Sequence, residues 1–200
     1  MILDPFVLTK SAIFERWNSL SMTSSLNKFG IAVFILMVAA GAIYLLLRED
    51  LPKLYINEIL TNSISCCPDK TTGTDEFDDW IEIYNAGNVS VDLGGMYFSQ
   101  NKKKPLGYQI TDTNPELTTI QPGGFLLLWA DGTPEQGPLH LKFKLDQDGE
   151  YLGLFNKDGR KLDDLKFGKQ SENRSFGRSI DGGADSWKEF TSPTPGKSNQ

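Results

Sequence analysis

The chain has 200 residues, of which 39% are hydrophobic and 23% are charged, a composition typical of a folded protein rather than a disordered one. Its 26 acidic and 20 basic residues give a formal net charge of −6, and its one compact basic run is 102–104. Because nucleic-acid binders concentrate Lys and Arg to neutralise phosphates, this charge pattern argues against nucleic acid as a partner.

Residues 1–28 form the first segment of the chain. Within it, Phe14, Trp17 and Leu20 recur at helical spacing with polar residues between them. This pattern predicts a short amphipathic helix, cytoplasmic or interfacial, that lies on a membrane surface or docks on a partner protein. The three side chains are therefore candidate partner-docking residues, and a weakly ordered tail is the alternative.

Residues 29–47 carry no charged side chain, and Lys28 and Arg48 bound this run on its two sides. As a helix it would be about 28 Å long, close to the ~30 Å hydrocarbon core of a bilayer. We therefore predict a single transmembrane helix over 29–47. A buried helix of a globular domain is the alternative, but such helices are seldom apolar all round.

The triplet Ala40-Gly41-Ala42 inside this run has the form of a signal-peptide cleavage site. Cleavage there would follow an unusually long N-terminal region and would leave the apolar residues 43–47 as a new terminus. We therefore expect an uncleaved anchor, and a cleaved signal peptide is the alternative.

Basic residues flank the predicted membrane helix unevenly. Lys10, Arg16 and Lys28 precede it, whereas Arg48 and Lys53 follow it. By the positive-inside rule, this slight bias places the N-terminus in the cytoplasm. The expected location is the inner (cytoplasmic) membrane, with the C-terminal domain periplasmic or extracellular and the lipid bilayer as one partner.

After a linker over 48–53, the apolar pattern changes from helical spacing to alternation, and residues 54–200 are interpreted as one β domain. In the run 80–84, Ile81 and Ile83 lie on one face of the predicted strand, and Glu82 lies on the other. Further short apolar runs bounded by turn residues predict strands over 54–60, 96–98, 125–129, 151–155 and 161–163. Short strands without amphipathic helices between them are typical of a β-sandwich or barrel.

Several motifs of this β domain occur together and in the order seen in one known family. They are INEI (56–59), DWIEIYN (79–85), VDLGGM (91–96), IQPGGFLL (120–127), LGLFN (152–156), RSFGR (174–178) and SPTPGKSN (192–199). Over most of 54–199 the chain resembles the lamin-tail domains, and the last two motifs are similar to the ends of bacterial members.

The resemblance implies an immunoglobulin-like β-sandwich that serves protein interaction and brings no catalytic residues with it. The chain has no coiled-coil heptads, so the filament building of lamins does not carry over. The expected fold class is therefore all-β, an immunoglobulin-like β-sandwich preceded by a single transmembrane α-helix.

The two cysteines, Cys66 and Cys67, are adjacent in the chain. Neighbouring cysteines rarely bridge each other, because a disulfide favours a longer separation of the Cα atoms. Two cysteines are also too few for a tetrahedral zinc site. A vicinal disulfide and an intermolecular bridge both stay open, and the pair does not decide the redox compartment.

The chain has one histidine, His140. A histidine that acts as a catalytic base needs a nucleophile beside it and a third group to hold it, and the local sequence offers neither. We interpret His140 as a loop or strand residue. With no phosphate-cradling loop and no His-rich metal pattern in the sequence, we expect a protein that is not an enzyme and has no small-molecule substrate.

Two acidic stretches offer oxygen ligands. Asp75, Asp78 and Asp79 lie in the first, and Asp146 and Asp148 lie in the second. Because Ca²⁺ takes several oxygens from a loop, these five residues are candidate calcium ligands. Neither stretch has EF-hand spacing and Asp-Gly turns arise from backbone geometry alone, so a protein without a cofactor is the alternative.

These features together indicate a membrane-tethered interaction module, an accessory or structural subunit of a membrane complex that contacts other membrane proteins. The alternative is a periplasmic or cell-surface module that binds a glycan or an envelope polymer, with or without Ca²⁺. Exposed aromatic side chains on one sheet would favour that alternative.

Overall fold

The computed structural model describes residues 27–43, 50–71, 73, 75–184 and 186–199. The chain folds as two compact units, residues 1–50 and residues 51–200. The predicted docking residues Phe14, Trp17 and Leu20 lie outside the described residues, so the amphipathic helix stays a prediction.

In the first unit, the described residues 27–43 form one helix, α1. No proline interrupts it, and large apolar side chains are exposed along it, among them Phe29 (71%), Phe34 (67%) and Met37 (68%). The rest of the predicted membrane run, 44–47, lies outside the described residues. Within the part of the chain that is described, no helix combines the length and the apolar character needed to cross a membrane.

The second unit consists mainly of short strands joined by turns. Its described elements, in chain order, are β1 (Leu54–Leu60), β2 (Trp80–Asn85), β3 (Val91–Asp92), β4 (Tyr97–Ser99), β5 (Tyr108–Gln109), α2 (Pro115–Thr118), β6 (Thr119–Ile120), β7 (Phe125–Trp129), a 3-10 helix (Pro134–Gln136), β8 (Tyr151–Phe155), β9 (Lys161–Lys166), β10 (Ser175–Arg178) and β11 (Trp187–Phe190). Strands β1, β7 and β8 have the bounds that the apolar runs of the sequence predict.

The strands form two main antiparallel sheets. One has five strands in the order β11-β10-β1-β2-β7, and the other has four in the order β5-β4-β8-β9. A two-stranded ribbon, β3-β6, accompanies them. This arrangement confirms the predicted all-β class and is consistent with the immunoglobulin-like sandwich.

One hydrophobic core joins the inner faces of the two sheets. Ile59, Ile81 and Ile83 contribute from the five-stranded sheet, and Phe98 and Leu154 contribute from the four-stranded sheet, all fully buried. Each such side chain stabilises the fold by about 1.5–3 kcal/mol relative to an exposed one. The period-two pattern of the strands therefore places the core where the sequence predicts it.

The outer face of the five-stranded sheet is also covered. Trp80 and Glu82 point away from the core and yet have 0% exposure. A β-bulge at Asn57 shifts the register of β1, which places Glu58 opposite Glu82 on this outer face. Strand β2, which lies between β1 and β7, is thus buried on both faces, which its alternation alone would not predict.

Arg178 of β10 links the two sheets. Its guanidinium donates to the backbone oxygens of Ile56 and Gly183 and, at 2.8 Å, to the carboxylate of Asp163 in the other sheet. The same carboxylate accepts the N–H of Ile56 at 2.8 Å. Because Arg178 is only 4% exposed, these charge-assisted hydrogen bonds form away from water and hold the sheets together at one edge.

Replacing Arg178 by lysine keeps the charge and removes the fork of donors, so we expect Arg178→Lys to lower the free energy of unfolding by about 1–3 kcal/mol. Arg174→Lys is the control, because Arg174 pairs with Glu189 on the surface and its change should stay within about 0.5 kcal/mol. Urea unfolding of the full chain in detergent measures both. Equal losses would contradict the linking role of Arg178.

Candidate functional site

Three long connections meet at one end of the sandwich. The register pairs Leu60 with Trp80 and Trp80 with Trp129, and Tyr151 pairs with Lys166, so the segments that leave these residues lie at the same end. We call this region, residues 61–79, 130–150 and 167–174, the loop end. Loops placed by a rigid sandwich are where such domains commonly bind.

His140 connects two of these loops. After β7 the chain forms a loop and returns to run parallel to the end of that strand. The N–H of Leu141 there donates to the oxygen of Trp129 at 2.8 Å. This places the His140 ring with Nδ1 2.6 Å from Oδ2 of Asp131 and Nε2 2.9 Å from the hydroxyl of Thr71. Oδ2 of Asp69 lies 3.6 Å from Nε2, an ion-pair distance rather than a hydrogen bond.

The hydrogen bonds around Thr71 assign the donors of this cluster. Its hydroxyl donates to Oδ1 of Asp69 at 2.7 Å, and its N–H donates to the same atom at 2.7 Å. Because a carboxylate can only accept, Nδ1 of His140 donates to Asp131, and Nε2 lies within hydrogen-bond distance of the Thr71 oxygen. Burial alone would raise the pKa of Asp131, but hydrogen bonds from Thr133 and His140 outweigh it and hold that pKa below its usual value.

The order hydroxyl, imidazole, carboxylate has the form of a nucleophile, a base and an orienting acid. Here, however, the Thr71 hydrogen goes to Asp69 rather than to the ring, and His140 is only 1% exposed. A substrate could not reach the ring. The arrangement fits a buried clamp between loops, which agrees with the interpretation of His140 as a loop residue.

The first acidic stretch joins the same loops. Asp79 accepts hydrogen bonds from the N–H groups of Ser63 and Leu145, and its burial raises its pKa to about 6. Burial also raises the pKa of Asp78, as do the nearby charges of Asp131 and Glu76. Asp75 is exposed. Asp79 thus fastens 61–79 to 130–150 rather than facing outward as a ligand.

The second acidic stretch forms a turn. Oδ1 of Asp146 accepts the N–H of Asp148 at 2.9 Å, and Asp148 lies 3.6 Å from the ammonium of Lys169 on the surface. Among the described residues, no group of three or more His, Cys, Asp and Glu side chains has an arrangement that could hold a metal ion. Calcium binding by the five aspartates stays a prediction without geometric support.

Cys66 and Cys67 are joined by a disulfide. They pack against the cluster of Leu60, Trp80 and Trp129 that covers the outer face of the sheet at the loop end. The side chain of Asn173 accepts three consecutive N–H groups, those of 64–66, at 2.9–3.1 Å and so fixes this turn. Of the two arrangements that the sequence leaves open, the structure contains the vicinal disulfide.

A second buried polar group lies in the middle of the outer face. Glu58 and Glu82 oppose each other there, each with 0% exposure. The C-terminal residues 191–199, which we call the strap, cross over them. Burial raises the pKa of both carboxyls, that of Glu82 to about 8, although hydrogen bonds oppose the shift.

Sequence reasoning missed these polar groups because their partners are distant in the chain. His140 lies 69 residues from Thr71, and Glu58 lies 136 residues from Thr194. One local signal was present. Glu58 and Glu82 both lie within strands that are otherwise largely apolar, and Glu82 lies between two core isoleucines. An acidic residue in a central strand requires a partner if that strand is buried on both faces.

The two antiparallel sheets, with their long loops gathered at one end, define an immunoglobulin-like all-β domain. The lamin tail domain model matches residues 49–169, more than half of the chain, and the chain belongs to that family. The match covers β1 to β9, whereas β10, β11 and the strap lie beyond it. No curated protein matches the chain.

His140→Ala leaves the carboxylates of Asp69 and Asp131 buried beside a cavity, so we expect a loss of about 3–5 kcal/mol in the free energy of unfolding. Asp131→Asn in the same chain removes one of those charges. The double variant should therefore be about 1–3 kcal/mol more stable than the sum of the single changes predicts.

Urea unfolding of the two single variants, the double variant and the unmodified chain provides this comparison. Strictly additive losses would show that Asp131 and His140 are not coupled and would contradict the role of Asp131 in holding the His140 ring.

Proposed function

We propose that this chain is a membrane-tethered, non-enzymatic protein-interaction module, an accessory or structural subunit of a membrane complex. The observation that carries the proposal is the combination of a lamin tail domain, whose longest loops are fixed at one end, with a separate helix whose apolar side chains are exposed. The domain supplies the contact surface, and the apolar segment supplies the tether.

The tether rests on α1 and the sequence that follows it. An exposed apolar surface of this extent on a helix needs a partner, since water contact with it is unfavourable. The uncharged run continues to Leu47, past the end of the described helix, and reaches a length that fits a bilayer. The charges around the run favour a periplasmic or extracytoplasmic position for the β domain.

The contact surface that we propose is the loop end. Ile64 is 55% exposed and Phe77 is 40% exposed, and both lie in the loop 61–79. His140, Asp79 and Asn173 hold described parts of this loop on either side of its two apolar side chains. Little conformational entropy would be lost on binding, which favours affinity.

A second candidate is the binding of a glycan or envelope polymer, favoured by one cleft. A space of about 320 Å³ opens beside β4 and β5, lined partly by Phe98, Gln100, Tyr108, Lys142 and Phe143. The Phe143 ring meets those of Phe98 and Tyr108 edge to face, with centroids 6.1 Å away in each case. Aromatic walls beside polar side chains suit a sugar ring.

The tether predicts the behaviour of the protein in membranes. We expect the full chain to sediment with membranes and to resist extraction with alkaline carbonate, whereas a variant lacking 29–47 should appear in the soluble fraction. Immunoblotting of the fractions measures this. Extraction of the full chain by carbonate would contradict a transmembrane anchor.

The contact surface predicts a separate result. After mild-detergent solubilisation, the full chain should migrate on native gels in a complex larger than its monomer. Ile64→Asp and Phe77→Asp should each shift most of it to the monomer, because a carboxylate at an apolar contact is costly to bury.

Val89→Asp is the matched control. Val89 is 63% exposed, but it lies in the turn after β2, at the opposite end of the sandwich. This variant should stay in the complex. A full chain that migrates as a monomer, or loop-end variants that stay in the complex, would contradict the proposed surface and leave the cleft as the better candidate.

A further inference from the structure

The strap binds directly to the buried carboxylates of the outer face. The N–H of Thr194 donates to Oε1 of Glu58 at 3.1 Å, and the Thr194 hydroxyl donates to Oε2 at 2.8 Å. The N–H of Gly196 donates to Oε2 of Glu82 at 2.6 Å. Two residues of the strap therefore account for three of the hydrogen bonds that these carboxylates accept.

The end of the strap is fixed by a third carboxylate, that of Asp181 in the turn between β10 and β11. The hydroxyl of Ser198 and the N–H of Asn199 both donate to it, at 2.5 Å and 3.1 Å. The side-chain amide of Asn199 also donates to the backbone oxygens of Asn57 and Arg178. The strap thus makes a series of polar bonds to an acidic surface.

No cation among the described residues forms an ion pair with Glu58 or Glu82. Arg178 of β10 is committed to Asp163 and to backbone oxygens. Lys188 of β11 lies over the ring of Phe190, and Lys197 of the strap is exposed.

The remaining neighbours of the pair are neutral or acidic. Asp181 adds a negative charge that raises the pKa of both glutamates, and Leu127 of β7 lies opposite Glu82. Burial makes ionisation of each carboxyl unfavourable, and the charge of Glu58 adds to this at Glu82. One proton on the pair lowers this cost and still leaves one ionised carboxylate to accept charge-assisted hydrogen bonds.

We propose that the strap is a proton-dependent latch: it stays closed over Glu58 and Glu82 while the pair retains a proton, and it opens to hydrate the carboxylates when that proton is lost. Opening exposes the outer face of β1 and β2, and leaves the core between the two sheets intact. The latch belongs to the β domain alone and does not depend on the tether or on the loop-end contact.

The direction of the pH dependence follows from the raised pKa of Glu82. In the closed state that pKa is about 8, whereas in an open, hydrated state it returns toward its ordinary value near 4.5. The closed state therefore binds the proton more tightly. The latch is tightest below the ordinary value, weakens as the pH rises from there to about 8, and changes no further above it.

Hydrogen exchange of the full chain in detergent micelles, followed by mass spectrometry at pH 5 to 9, tests the latch. After correction for intrinsic exchange rates, we expect protection of a peptide covering the strap to fall by up to about tenfold per pH unit between pH 5 and 8. It should then level off. Peptides covering β8 should keep constant protection over the whole range.

Glu82→Gln removes the titrating group and should make protection of the strap independent of pH. Glu116→Gln is the control, because Glu116 is exposed in α2, and it should behave as the unmodified chain does. Three results would overturn the proposal: constant protection of the strap in the unmodified chain, a parallel fall in β8, or the unmodified pH profile in Glu82→Gln.

A second measurement does not require that variant to fold. Carboxyl carbon NMR should show Glu82 titrating near pH 8 in the unmodified chain. Deletion of 191–200 should return its pKa toward 4.5, since the strap provides much of its burial. A titration that the deletion leaves unchanged would also overturn the latch.

Discussion

The burial of β2 on both faces is the constraint on which the rest of the β domain depends. Its inner face, Ile81 and Ile83, belongs to the core between the sheets, while Trp80 and Glu82 are equally inaccessible on the outer face. An antiparallel sheet of this kind normally leaves one face to water. Here other parts of the chain must cover the second face, and the turn of Cys66 and Cys67 and the strap both lie on it.

Two covers meet on this outer face, and their chemistry differs. At the loop end, the disulfide of Cys66 and Cys67 packs on Leu60, Trp80 and Trp129, an apolar contact that does not respond to pH. Two residue pairs further along the strands, the strap lies on Glu58 and Glu82 and is held by hydrogen bonds to carboxylates. The first cover is stabilised by the hydrophobic effect, whereas the strength of the second depends on protonation.

How far the sequence predicts this structure depends on the range of the interactions involved. Strands β1, β2, β7 and β8 were predictable because their apolar patterns are local. Strands β3, β5 and β6 have only two residues each, so they are defined by their partners and have no pattern of their own. Strand β10 also lacks alternation, and its place beside β1 depends on contacts such as that of Arg178 with Ile56.

For the polar groups, too, success of prediction depends on how far apart in the chain the interacting residues lie. The sequence identified the acidic stretch around Asp79 as important but assigned it to calcium, whereas the structure uses Asp79 to join two loops. The clamp of His140 could not be inferred, since Asp69 and Thr71 come from a loop that precedes it by about seventy residues. A single sequence thus allows prediction of which side chains lie on a strand, but not of which distant segments cover them.

The difference between the apolar cover at the loop end and the polar cover formed by the strap bears on how the domain can work. The described residues around Ile64 and Phe77 are held by Asn173, Asp79 and His140, which suits the contact surface that we propose. The strap donates hydrogen bonds to Glu58 and Glu82, two buried carboxylates that form no ion pair among the described residues. Both covers lie on β1 and β2. Movement of the strap would therefore occur beside the cluster of Leu60 and Trp80, on which the turn of Cys66 and Cys67 packs. A domain that contacts its partner at one end can thus contain, on the adjoining surface, a segment whose attachment follows the pH of its surroundings.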